Sequence, residues 1–168
     1  YVESFLTLSP TIALISNIDN DHLDYFHDMA HIEAAFEKFL ARLPQDGVFV
    51  ACTDDARVRV LYEASARRAV SYGLAGGDYT AADVAYDGQG CPAFTAVRHG
   101  AALGRVQLAV PGAHNVANAL GALAVAGLLD IPFETAAGAL AHFQNTRRRF
   151  EYYGERGGIR IYHDYGHH

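Results

Sequence analysis

The chain has 168 residues, 51% of them hydrophobic and 19% charged, a balance that excludes a disordered segment and suits a packed globular fold. Its formal net charge is −6 and Lys38 is its single lysine, so no basic surface for nucleic acid is expected. Two cysteines, Cys52 and Cys91, lack C-x-x-C spacing, which argues against a disulfide framework or zinc site and for a reducing, cytoplasmic location.

Thr11 to Ser16 is a short apolar run, the pattern of a strand buried on both faces. A polar segment, Asn17 to Asp28, leads to a helix. There Met29, Ile32, Phe36, Phe39, Leu40 and Leu43 recur at helical spacing behind Asp28 as N-cap. Pro44 and Gly47 end that helix, and Gly47 to Cys52 reads as the next buried strand. Asp54 or Asp55 caps a second helix carrying Val58, Leu61, Tyr62 and Ala66, and Ala69 to Tyr72 reads as a third strand. Between Tyr79 and Val110 the helical period disappears. Val106, Leu108 and Val110 alternate with polar neighbours and His99-Gly100 suits a hairpin turn, so a small antiparallel sheet beside the parallel one is expected. Helices follow over roughly His114 to Leu129 and Pro132 to Phe143, then two strands around Gly157-Gly158. The predicted fold class is α/β: a mostly parallel sheet flanked by helices, with a small antiparallel sheet. The longest apolar stretch, Ala119 to Leu129, is too short to cross a bilayer, and no secretory signal opens the chain.

Three clusters carry candidate chemistry. Asn17 to Asp24 (NIDNDHLD) follows a buried strand, where ligands of open α/β sheets bind. Its carboxylates and His22 suit a divalent cation, while a polar loop of turn-forming Asp and Asn is the alternative. Gly112 to Asn118 enters a helix, and Asn115 and Asn118, spaced i and i+3, can present amides side by side to a base edge; an ordinary helix entrance is the alternative. Arg147 to Phe150, with Asp164 to His168 shortly after, offers guanidinium groups suited to phosphate or, alternatively, a solvated turn. No G-x-x-x-x-G-K-[ST] loop, G-x-S-x-G, H-E-x-x-H or G-x-G-x-x-G occurs.

In this order the clusters resemble the Mur ligases. These carry N-I-x-x-D-H-[LM]-D (here Asn17 to Asp24), G-x-H-N-x-x-N (Gly112 to Asn118), R-R-F-[DE] (Arg148 to Glu151) and D-Y-[GA]-H-H (Asp164 to His168). The last motif is similar to that of the alanine-adding branch. The resemblance implies residues 1–148 of a central ATP-binding domain and 149–168 at the junction and first strands of a C-terminal one. It also implies a cytoplasmic, ATP- and Mg2+-dependent ligase of peptidoglycan precursor synthesis, hence of cell shape and division, with UDP-N-acetylmuramate and L-alanine as substrates. ATP would phosphorylate the sugar carboxylate and the L-alanine amine would then displace phosphate.

By the same resemblance His22 is the catalytic metal ligand. His114, Asn115 and Asn118 take the adenine end of ATP, Arg149 its phosphates and Asp164 its ribose. Tyr165 and His167 lie toward the amino acid. Departures are Asn145-Thr146-Arg147 where the family has G-T-[GK], and His163 where it has an acid before Asp164. The family's phosphate loop and magnesium-binding glutamate would lie upstream of Tyr1, so residues 1–168 alone are expected to be inactive. A metal-dependent phosphohydrolase built on Asp21, His22 and Asp24, and a non-catalytic α/β binding module, are the alternatives.

Overall fold

The computed structural model describes residues 3–21, 23–144, 146, 148–149 and 151–166, with the backbone alone at 23 and 24. Strands β1 (Ile12–Ile15), β2 (Val48–Cys52) and β3 (Arg68–Tyr72) pair in parallel. All five residues of β2 are buried, which explains its unbroken apolar run. Side chains alternate across it: Phe49 and Ala51 pack with Ile32, Leu40, Val58 and Leu61, whereas Val50 joins Tyr72, Phe94, Val116 and Leu120 on the other face.

Strands β4 (Tyr79–Tyr86), β5 (Pro92–Arg98) and β6 (Ala101–Gln107) are antiparallel to one another. They are not a separate layer: β4 joins β3 edgewise, giving one six-stranded sheet in the order β1 to β6. The join is a single parallel pair, Tyr72↔Tyr79. Side chains reinforce it, because the backbone N–H and hydroxyl of Ser71 both donate to Asp78 Oδ2, and the Asp78 N–H donates to Ser71 Oγ. Between β5 and β6, His99 and Gly100 have φ of 48° and 81°, the left-handed pair that a two-residue hairpin needs.

Helix α1 (Leu23–Phe26) and a 3₁₀ turn at Ser4–Thr7 were not legible from periodicity, being too short to repeat. Helix α2 (Met29–Ala41) starts at Asp28, whose side chain accepts from the His31 N–H, and ends before the expected Leu43. Asp55, not Asp54, caps α3 (Ala56–Ala64) by accepting from the Arg57 and Val58 N–H groups, and Ala66 lies beyond that helix. Asp54 instead accepts from the N–H groups of Leu74 and Ala75.

Helix α4 (Ala113–Leu128) covers the Val50 face of the sheet. It runs antiparallel to β3: Gly121 abuts the Tyr72 ring near the end of that strand, and Leu128 shares a cavity with Arg68 at its start. Its N-terminus therefore lies at the edge where the parallel strands end. The helix stops at Asp130, φ 54°, with the Ile131 N–H donating to the Ala126 carbonyl, the left-handed C-cap usually made by glycine. Helix α5 (Phe133–His142) follows, with Pro132 as N-cap rather than within the first turn. A second sheet is formed by the antiparallel hairpin β7 (Glu151–Arg156) and β8 (Ile159–His163). No helix among the described residues is long and apolar enough to cross a membrane.

Candidate nucleotide site

Two of the three clusters come to the edge where the parallel strands end. The first leaves β1 directly. Ile18 is buried and anchors the loop, while Asp19 shapes it: its carboxylate accepts from the Asn20 N–H and its carbonyl from the Asp21 N–H. These bonds are what the turn-forming alternative predicts for Asp19. His22, expected as the metal ligand, lies outside the described residues, as does the side chain of Asp24. Among the described residues no group of three or more His, Cys, Asp or Glu is arranged to hold a metal ion.

The second cluster opens α4, and here the residues divide. Asn115 is buried, 7% exposed, and its amide donates to the Pro111 carbonyl at 2.8 Å. Its side-chain oxygen accepts from Asn118 at 3.2 Å. Asn115 thus fastens the helix to its entry turn, with both ends of its amide engaged. Asn118 and His114 are exposed. Asn118 commits its NH2 group to Asn115, while its side-chain oxygen is an acceptor of the kind suited to a base amino group. Gly112 suits this position because its φ of 105° is a backbone conformation that other residues rarely adopt. No side chain caps this helix start.

The third cluster lies at the open end of the hairpin. The Tyr165 N–H donates to the Arg148 carbonyl at 2.6 Å, the Arg148 N–H donates to Glu151 Oε2, and Asp164 Oδ1 accepts from the Gly166 N–H. Arg149, Asp164 and Tyr165 are therefore neighbours on one end, just past the Glu151↔His163 pair. His167 lies outside the described residues.

A cleft of about 550 Å3 separates the entry to α4 from the hairpin. Cys91 and Pro111 line one side and Tyr152, Glu155, Arg160 and Tyr162 the other. None of the residues expected from the sequence lines it. Glu155 and Arg160 are cross-strand partners counted outward from Gly157-Gly158, but Tyr152 faces Tyr162 only because the register shifts between Tyr152 and Gly154, which simple counting does not give. The two tyrosine rings meet edge to face at 5.6 Å. Burial, with the nearby Asp87 charge, pushes the Cys91 thiol above its ordinary value, which disfavours the thiolate.

Comparison with known proteins gives a consistent picture. Residues 2–126 match the family described as the Mur ligase middle domain. The chain is 40% identical over 169 residues to a UDP-N-acetylmuramate--L-alanine ligase of Caldanaerobacter subterraneus subsp. tengcongensis, covering 100% of this chain and 37% of the relative. It thus spans little more than a third of that relative's length. A UDP-N-acetylmuramate-alanine ligase, MurC, from Thermotoga maritima superposes with a TM-score of 0.82 at 26% identity, over 99% of this chain and 37% of that one. A MurF ligase from Thermotoga maritima in complex with ADP shares the fold, with a TM-score of 0.73 at 21% identity over 92% of this chain and 35% of its own.

Proposed function

The chain belongs to the Mur ligase family, and from that premise we propose that it supplies the adenine side of the ATP site in a longer ligase. That ligase would join L-alanine to the carboxylate of UDP-N-acetylmuramate in peptidoglycan precursor synthesis. The supporting observation is the division of labour at the α4 entrance: Asn115 is buried and fully engaged while Asn118 and His114 are exposed beside it.

In this proposal the Asn118 side-chain oxygen accepts from the adenine amino group, and the His114 ring packs against the base. Arg149 offers its guanidinium to the phosphates and Asp164 its carboxylate to the ribose hydroxyls, a pairing suited to a nucleotide. Tyr165 and His167 are assigned to the amino-acid side. Residues 1–148 form part of the central domain, and the hairpin from 149 opens the next one. The overall reaction balances as carboxylate, amine and ATP giving amide, ADP and phosphate. Magnesium, when bound, would offset charge on the phosphates, and His22 is the residue here assigned to contact it. The enzyme would work in the cytoplasm.

ADP release by the longer protein containing this chain tests the proposal. Release should require UDP-N-acetylmuramate and L-alanine together. ADP release that is indifferent to either substrate, or phosphate release without ATP, would contradict it.

A further inference from the structure

Two cavities meet at the far end of α4, away from the edge described above. A 16-residue helix is about 24 Å long, so this end is remote from His114 and Asn118. One cavity, about 260 Å3, is walled by Leu103, Leu123, Ile131 and Phe133. The other, about 580 Å3, is polar and includes Arg68, Asp78 and His99. Tyr79, Arg98, Gly127 and Asp130 line both.

The charges here are unevenly committed. Asp78 accepts from Ser71 and lies 3.3 Å from His99 Nδ1. Arg98 has no ion pair among the described residues, and its guanidinium lies 5.5 Å from the Tyr79 ring centroid. Tyr79 is Arg98's direct cross-strand partner. Gly127 makes room for this stack, since a Cβ there would strike the Tyr79 hydroxyl. Arg68 and Asp130 likewise form no ion pair among the described residues. The negative end of α4 is equivalent to about half a charge, which offsets only part of two guanidinium groups. Asp130 sits at φ 54°, where glycine is cheaper, so its carboxylate is kept at a conformational cost.

We propose that these joined cavities bind a free α-amino acid with an apolar side chain. Its carboxylate pairs with Arg98, its ammonium with Asp130, and its side chain fills the slot walled by Leu103, Leu123, Ile131 and Phe133. Among the described residues Arg98 and Asp130 form no ion pair with each other, and both line the two cavities, so a zwitterion offers one opposite charge to each. A plain carboxylate leaves Asp130 uncompensated, and a plain amine leaves Arg98 so. Arg68, on the polar wall, adds positive potential at the carboxylate end.

Calorimetric titration of the 168-residue chain with L-phenylalanine tests this, with 3-phenylpropionate and phenethylamine as arms lacking one charge each. L-phenylalanine should bind saturably, and each truncated analogue at least tenfold more weakly. Arg98→Gln and Asp130→Asn should each weaken binding by roughly tenfold or more, the worth of a charge-assisted contact. Both positions are exposed and asparagine tolerates the left-handed backbone, so thermal unfolding should confirm that both variants fold. Absence of saturable binding at millimolar L-phenylalanine would overturn the proposal. So would 3-phenylpropionate binding as tightly as L-phenylalanine, or affinity unchanged in both variants.

Discussion

Asn118 donates its side-chain amide to the side-chain oxygen of Asn115 across one turn of α4, at 3.2 Å. The two asparagines are one unit with unequal duties, because only Asn115 is buried and only Asn115 reaches back to Pro111.

Asn115→Ala should therefore cost stability, about 1–3 kcal/mol, because it removes a buried side chain and leaves the part-buried Pro111 carbonyl without its donor. Asn118→Ala should cost about 1 kcal/mol or less, as an exposed side chain. Urea unfolding of the two variants separates them. Equal losses would show that the amides share the structural load.

Alkaline pH should destabilise the fold through Tyr72 and Cys52. Desolvation by burial raises both above their ordinary values of 10.0 and 9.0, and each is further raised by neighbouring charge. The neutral forms are thus favoured in the folded state. Their stabilising contribution is complete below the unfolded values and is lost as pH rises above them, so stability should fall from about pH 9 upward. Tyr72→Phe should flatten the part of this decline above about pH 10. A stability profile unchanged by the substitution would contradict the assignment.

The sequence carried much of this architecture, for identifiable reasons. β2 was legible because both its faces are buried, and the β5–β6 turn because His99-Gly100 suits two successive left-handed residues. The join of β4 to β3 was not, since one residue pair and the Ser71–Asp78 bonds leave no periodic trace. At the site, spacing placed Asn115 and Asn118 on one face, but it could not say which amide was spent internally. The Tyr152 and Tyr162 wall of the cleft was missed because its residues only converge when the hairpin pairs.

In the longer ligase, Arg149→Ala and Asp164→Ala should each raise the apparent ATP constant by roughly 10- to 100-fold, the loss of one charge-assisted contact. The constant for UDP-N-acetylmuramate should change far less. Steady-state kinetics with each substrate varied would show this, and a defect selective for the sugar nucleotide would move both residues to another pocket.

His22→Ala in the same protein should abolish most ligation while shifting thermal stability by about 1 kcal/mol or less, the usual scale for a polar residue that carries no core packing. Near-normal turnover would remove His22 from the metal assignment.

Amide NMR of the 168-residue chain, titrated with ATP and magnesium, tests the nucleotide assignment most directly. The account predicts weak, millimolar binding, since the sequence contains no phosphate loop, with shifts concentrated at residues 112–118 and 148–165. Saturation by ATP that leaves both segments unshifted would contradict it.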